Sequence, residues 1–181
     1  MLPQKIRKLG ETNEMADVKF IVEGEIFSAH RAVLVARSAV FKAELSNCMA
    51  NREEVIRVED MQASVFKLLL EFMYTDNLPE DASFGTIQCL MVAANRYALE
   101  ALVATCQQRL LKNLTIDKAV DCLIFAHQHD FSKMKRQCVE FMLEGDTFRL
   151  AVCLKYVRMV VNYPSILTEI KEVANELKSR G

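Results

Sequence analysis

The residues best suited to nucleophilic or metal chemistry gather in one stretch, where Cys122, His127, His129 and Cys138 lie within a segment patterned as a helical hairpin. A thiol beside an imidazole can supply a nucleophile and its base. It also needs donors for a developing oxyanion, and no glycine-rich loop lies close by. His127 and His129 are two apart on one helix and so face different sides. No Cys-x-x-Cys accompanies them, which leaves zinc without a tetrahedral ligand set. The six cysteines, Cys48, Cys89, Cys106, Cys122, Cys138 and Cys153, are scattered singly, mostly among apolar neighbours. That pattern suits buried thiols better than a disulfide framework. Phosphate-cradling glycine loops are absent as well. The expectation is a protein that is not an enzyme, with no catalytic residue, metal or cofactor of its own.

Composition narrows the remaining classes. The 181 residues are 51% hydrophobic, enough for a substantial core, and 23 basic residues nearly balance 24 acidic ones. No net field therefore draws the chain to nucleic acid or an anionic membrane, and the basic residues form no ladder with aromatic ones. The richest apolar run, Val65 to Met73, is interrupted by Lys67 and Glu71, far short of a membrane span. Lys5, Arg7 and Lys8 are not followed by the apolar stretch of a secretory signal, so a reducing compartment, nucleus or cytoplasm, is expected. Five glycines and three prolines are few, which favours long helices over a turn-rich sandwich.

Periodicity supplies the elements that must organise these residues. Leu2, Ile6 and Leu9 fall at helical spacing, with Gly10 as the stop. Val18, Phe20 and Val22 alternate with Lys19, Ile21 and Glu23, and Gly24 separates them from Glu25-Ile26-Phe27-Ser28, a strand, tight turn and second strand. Two short helices follow, one over His30 to Ala36 and one capped by Ser38. Val55 to Val58 reads as a strand, and Asp60 begins a helix to about Tyr74 that is apolar on nearly every side. Two more helices carry Ile87, Leu90, Met91, Ala94 and then Leu99, Leu102, Val103, Cys106, Leu110. Thr115 and Asp130 are placed to cap a hairpin of helices with stripes Val120, Leu123, Ile124, His127 and Met134, Cys138, Phe141, Met142. Leu150, Leu154, Val157 and Val161 continue the pattern, and Pro164 opens a last helix bearing Leu167, Ile170, Ala174 and Leu177.

Several ordered motifs then resemble one family. Ala16-Asp17-Val18, Phe27-Ser28-Ala29-His30-Arg31 and Ala36-Arg37-Ser38-Ala39-Val40-Phe41-Lys42-Ala43-Glu44-Leu45 are similar to the signatures of BTB/POZ domains. Val58-Glu59-Asp60-Met61, Phe66, Phe72-Met73-Tyr74-Thr75-Asp76 and Ala93-Ala94-Asn95-Arg96-Tyr97-Ala98-Leu99-Glu100 resemble the MATH-BTB branch, the speckle-type POZ-like group and its plant members above all. Asn113-Leu114-Thr115 and Phe125-Ala126-His127-Gln128-His129 look like the BACK extension that follows the BTB domain there. The resemblance implies an α+β fold, a small sheet with a helical cluster, followed by an all-α BACK-like region. It divides the chain into a dimerisation helix at 1–15, a BTB/POZ domain at 16–113 and a BACK-like region at 114–181, with no MATH domain.

The function so implied is that of a dimeric substrate adaptor for a cullin-3 RING ubiquitin ligase, with unidentified substrate proteins as its other partners. The dimer, a homodimer or a mixed dimer with related BTB proteins, would use Leu2, Ile6, Leu9, Val33 and Leu34, with Asp17 and Arg31 as a charged pair beside it. The bland alternatives are that Leu2, Ile6 and Leu9 pack within their own subunit and that Asp17 and Arg31 are two solvated charges. His30 is expected as a packed, hydrogen-bonded histidine. Cullin binding is implied for Met49, whose flexible thioether suits an apolar anchor. Two residues on, the family's glutamate is replaced by Asn51, which cannot supply its charge, while Glu53 or Glu54 could substitute. Met49 could equally be a loop residue without a role. The competing reading is a BTB dimerisation or scaffold protein outside any ligase, pairing with full-length MATH-BTB relatives.

Overall fold

The structure, a computed structural model, describes residues 4–46, 55–143 and 159–179. Helix α1 covers Gln4–Thr12, followed by the hairpin β1 (Val18–Val22) and β2 (Glu25–Ala29), then α2 (Arg31–Arg37), α3 (Ala39–Ser46) and β3 (Val55–Val58). Helices α4 (Ala63–Thr75), α5 (Phe84–Arg96), α6 (Glu100–Lys112), α7 (Ile116–Gln128), α8 (Ser132–Leu143) and α9 (Pro164–Lys178) follow. The chain forms two compact units, Met1–Cys106 and Gln107–Gly181, with the division inside α6.

In the first unit a three-stranded sheet has the order β2-β1-β3. Glu23 and Gly24, both with positive φ (48° and 84°), make the two-residue turn whose twist matches an antiparallel pair. β3 lies parallel to β1, Phe20 opposite Ile56 and Val22 opposite Val58, and α2 and α3 lie between β2 and β3 in the chain. Alternation does what the sequence suggests: Val18, Phe20 and Val22 are buried, and Lys19 is exposed. Phe20 then meets Phe41 edge-on at 5.6 Å and Phe66 at 5.3 Å, joining sheet, α3 and α4 in one aromatic core.

Helix α4 is the centre of this unit, with Val65, Phe66, Leu69, Leu70, Phe72, Met73 and Tyr74 all buried. It begins at Ala63 and not at Asp60, which adopts φ 57° in the preceding turn. Its first free N–H groups need an acceptor, and the Glu23 carboxylate supplies one from the hairpin turn, 2.9 Å from the Ala63 nitrogen. Ser38 caps α3 as the sequence suggests, its Oγ accepting from the Phe41 N–H at 3.1 Å.

Helix α1 does not stop at Gly10 but continues to Thr12. Gly10 serves a different purpose, because its backbone lies so close to α4 that a Cβ there would stand 2.7 Å from Tyr74 Cγ. The helix therefore packs on its own subunit, with Ile6 and Leu9 half-buried.

In the second unit, α7 and α8 form the expected helical hairpin, burying Val120, Leu123, Met134, Cys138 and Met142. Thr115 sits at the N-cap of α7 without a capping bond from its side chain, and Asp130 turns through φ 56° two residues before α8. The apolar stripe of α9 is rotated from its expected position, and Val161 just before it does not face the core. Met159 is buried while Val161 is 72% exposed, and α9 buries Ile166, Ile170 and Val173, leaving Leu167, Ala174 and Leu177 half-buried. The stripe members Leu150, Leu154 and Val157 lie outside the described residues. Of the cysteines described, Cys106, Cys122 and Cys138 are buried and Cys89 is exposed. No described helix is long and apolar enough to cross a membrane.

Candidate interaction site

Of the residues expected to form a docking surface, Asp17, Arg31, Val33 and Leu34 lie around the junction of β1, β2 and α2, and Ile6 and Leu9 lie on α1. Asp17 and Arg31 do meet there, but not as a carboxylate–guanidinium fork. The Asp17 carboxylate accepts the Arg31 backbone N–H at 2.7 Å, capping α2 from a different segment, since the formal N-cap, His30, makes no capping bond with its side chain. The Arg31 guanidinium instead donates to two main-chain carbonyls, Asp17 O at 3.4 Å and Leu45 O at 3.3 Å. Arg31 thus ties the start of β1 to the end of α3. Its planar fork suits this bridging, which a lysine could satisfy at only one point.

Val33 is half-buried, whereas Leu34, expected at a dimer interface, is fully buried in its own unit. Helical spacing alone cannot separate the two faces of a seven-residue helix, and packing against the core takes Leu34. Ile6 and Leu9 keep part of their surface exposed after α1 has docked on α4, so they offer apolar area on the same helix that the subunit itself holds in place. Leu2, Met49, Asn51, Glu53 and Glu54 lie outside the described residues.

The ion pair of this region is one that sequence reading missed. Arg37 at the end of α2 pairs with Asp76, and its guanidinium lies 5.7 Å from the centre of the Phe72 ring. Asp76 is in the left-handed conformation that closes α4 (φ 55°), and an aspartate tolerates this at little cost. The motif Phe72 to Asp76 gave the signal, because both contacts come from its ends.

His30 is buried and fully engaged. Its Nε2 lies 2.7 Å from the Glu14 carbonyl, which can only accept, so Nε2 carries a proton. Nδ1 lies 2.9 Å from Tyr74 Oη, and that hydroxyl also accepts the His30 backbone N–H at 2.9 Å. The consistent assignment has Tyr74 donating to Nδ1, with every polar atom satisfied. A metal ligand or base would need a free ring nitrogen, and His30 has none.

Tyr97 plays a matching part at the other side of the core. It stacks on Phe41 at 4.4 Å, and its carbonyl accepts the Ser38 hydroxyl at 2.6 Å. Burial is the main cause that pushes both phenols above their usual pKa of 10.0, with Asp17 adding to it for Tyr74 and Glu44 for Tyr97. The folded state thus holds these protons more tightly than the unfolded chain. Stability from the neutral phenols is fully present below about pH 10 and is lost as pH rises through the raised folded values. In alkaline denaturation series, Tyr97→Phe should show a shallower fall of stability above that pH than the parent chain.

The second unit brings together a different set. His127 Nε2 lies 3.3 Å from Ser165 Oγ, and its Nδ1 lies 3.5 Å from a Glu169 oxygen, the order of atoms in a serine hydrolase triad. Two facts argue for a structural tie. Nδ1 is buried without a hydrogen-bond partner, so the carboxylate does not orient the ring, and Lys135 already holds the same Glu169 oxygen at 2.9 Å. The group fastens α9 to α7 and α8, together with Arg136, which bridges Glu140 at 3.0 Å and Glu176 at 2.7 Å. Hydrogen bonds to those carboxylates, first Glu176, raise the pKa of the guanidinium further. Cys138 and Cys122, the thiols that could have served chemistry, are hydrogen-bonded to each other and buried, which pushes the Cys138 thiol well up and leaves it poorly nucleophilic. Among the described residues no three His, Cys, Asp or Glu side chains are placed to share a metal ion.

The family model for the BTB/POZ domain matches residues 6–114. The chain belongs to the BTB/POZ family. Among solved structures, the BTB domain of zebrafish PATZ1 superposes with a TM-score of 0.53 at 24% identity, covering 61% of this chain and 91% of that one, a likeness in fold. This BTB chain is also 35% identical over 181 residues to Arabidopsis thaliana "BTB/POZ and MATH domain-containing protein 3", with 92% of this chain and 44% of that protein aligned. It is 34% identical to "BTB/POZ and MATH domain-containing protein 4" of the same plant, over 75% of this chain and 32% of that protein. Mouse "TD and POZ domain-containing protein 4" is 30% identical over 93% of this chain and 45% of its own length. The chain therefore spans less than half the length of these relatives. The fold is the expected α+β BTB architecture with a helical extension, and a BTB domain is a protein-interaction module, not a catalytic fold.

Proposed function

We propose that this BTB protein acts as a dimeric substrate adaptor of a cullin-3 ubiquitin ligase. The observation that carries this reading is the BTB match over residues 6–114 together with relatives that join the same domain to a MATH domain. The fold supports it through α1, whose Ile6 and Leu9 remain partly exposed although the helix is anchored on α4. A twofold axis beside such a helix buries one patch twice, so a modest apolar strip is enough to begin an interface. A dimer carrying two cullins presents two ligase arms to one target, which raises effective concentration with no new contact. The adaptor would work in the nucleus or cytoplasm and itself carry no ligase chemistry.

Met49 supplies the proposed apolar anchor for the cullin, with Glu53 or Glu54 taking the place of the carboxylate that Asn51 lacks. Titration of the purified chain with the N-terminal half of cullin-3 tests this. Saturable binding that Met49→Glu abolishes, while light scattering still reports a dimer, is the expected result. No binding at high micromolar concentration would overturn the adaptor reading, and a monomer at those concentrations would overturn the dimer.

Asn51 gives a second reading its specific support: a dimerisation module that pairs with full-length MATH-BTB relatives and leaves the cullin unengaged. It predicts mixed dimers with such a relative in the same scattering experiment, together with silence in the cullin titration.

A further inference from the structure

A groove of about 580 Å³ runs between α1, α4 and the outer edge of β2, within the size range of sites that take a peptide or a small ligand. One wall is the strand itself, Glu25 to Ser28. Because Val22 and Glu25 face each other across the two-residue turn, the N–H and C=O of Glu25 and Phe27 point toward β1 and those of Ile26 and Ser28 point away from it. Among the described residues β2 is an edge of the sheet, and there the outward groups of Ile26 and Ser28 have no strand to pair with. The next group on that side, the His30 N–H, donates to Tyr74, which lines the groove. The open side of the ladder therefore faces the cavity.

The rest of the groove suits an extended chain. Leu70 and Tyr74 contribute an apolar floor, and Ile26, 67% exposed, stands at the rim where an apolar side chain can cover it. Arg7 and Glu11 of α1 neutralise each other at 3.3 Å. Among the described residues, Glu25 and Glu71 meet no cation and Lys67 meets no carboxylate, so the uncompensated charge along the groove is acidic. We infer that this groove binds an extended segment of a partner protein, apolar with a basic side chain, as an added strand on β2. Main-chain pairing with Ile26 and Ser28 supplies affinity, and the acidic rim selects the basic residue. An unpaired edge of this kind is otherwise a liability, and a dedicated strand relieves it.

The probe is an acetylated hexapeptide alternating valine and threonine with one central arginine, titrated by fluorescence polarisation into the full chain. Glutamate in place of the arginine should weaken binding roughly tenfold or more, and N-methylation of the backbone groups that face β2 should abolish it. Hydrogen exchange at Ile26 and Ser28 should slow on binding, with Phe27 unchanged. Glu71→Lys, an exposed change that leaves the fold intact, should invert the charge preference. Equal binding of the arginine and glutamate peptides, binding without protection of Ile26 and Ser28, or no binding of any peptide would each overturn the proposal. A peptide-independent drop in particle size on Ile26→Lys would also overturn it, showing that a second copy of the chain occupies the edge.

Discussion

Gly10→Ala should lower the unfolding free energy of the BTB unit by about 1–3 kcal/mol, the usual penalty for overpacking a filled contact. The added methyl would stand 2.7 Å from Tyr74 Cγ and 3.0 Å from its Cβ, closer than carbon atoms tolerate. Tyr74 cannot yield, since it is 5% exposed and its hydroxyl is held by His30 at two points. Helix α1 must therefore lift from α4. A thermal melt reads the loss directly, and an unchanged midpoint would show that α1 is not seated as described. Gly85→Ala provides the contrast. It has no atom within 4 Å of the new Cβ and lies inside α5, so the same chemical change should stabilise by up to about 1 kcal/mol. If α1 also forms the dimer interface, Gly10→Ala will weaken dimerisation and Gly85→Ala will not.

Tyr74→Phe is the second change of large effect. Removing one oxygen leaves the His30 backbone N–H without its acceptor and Nδ1 without its donor, both in a buried setting. Each orphaned group costs about 1–3 kcal/mol, so roughly 2–6 kcal/mol in all is expected in urea unfolding. The ring remains, and packing with Gly10 should survive. The slope of the transition should stay that of the parent chain, because the surface exposed on unfolding is nearly unchanged. A loss below about 0.5 kcal/mol would show that water replaces the hydroxyl and that the network is not closed. The variant should also lack the part of the alkaline loss that the Tyr74 phenol contributes.

The elements of this protein were legible where a short-range pattern decides them. Alternation marked β1 within a residue, β-branched character marked β3, and Ser38 announced the start of α3. What the pattern could not reveal were the partners. The parallel pairing of β3 with β1 joins segments more than thirty positions apart in the chain, and nothing in Val55 to Val58 names Val22 as a neighbour. Gly10 reads as a helix stop because glycine usually is one, while its actual role depends on Tyr74, a residue distant in sequence. Asp17 and Arg31 were paired correctly in space and wrongly in chemistry: the carboxylate found a helix N–H and the guanidinium found carbonyls, the stronger demand in each case being an otherwise orphaned main-chain group. In α9 the buried stripe turned out to be Ile166, Ile170 and Val173, since an amphipathic helix with apolar residues on adjoining faces can roll by part of a turn before packing selects one.

The bond from Ser38 to the Tyr97 carbonyl spans 59 positions, and the Phe41 ring lies flat on the same tyrosine. On a ribosome, which releases the chain from its N-terminus, the first unit cannot shut its aromatic core until Tyr97 has emerged. The α7–α8 hairpin, built from near neighbours, can assemble almost as soon as it leaves the exit tunnel. The part made first thus waits the longer to close, and in that interval its sheet edge and phenylalanines are the surface most in need of a chaperone.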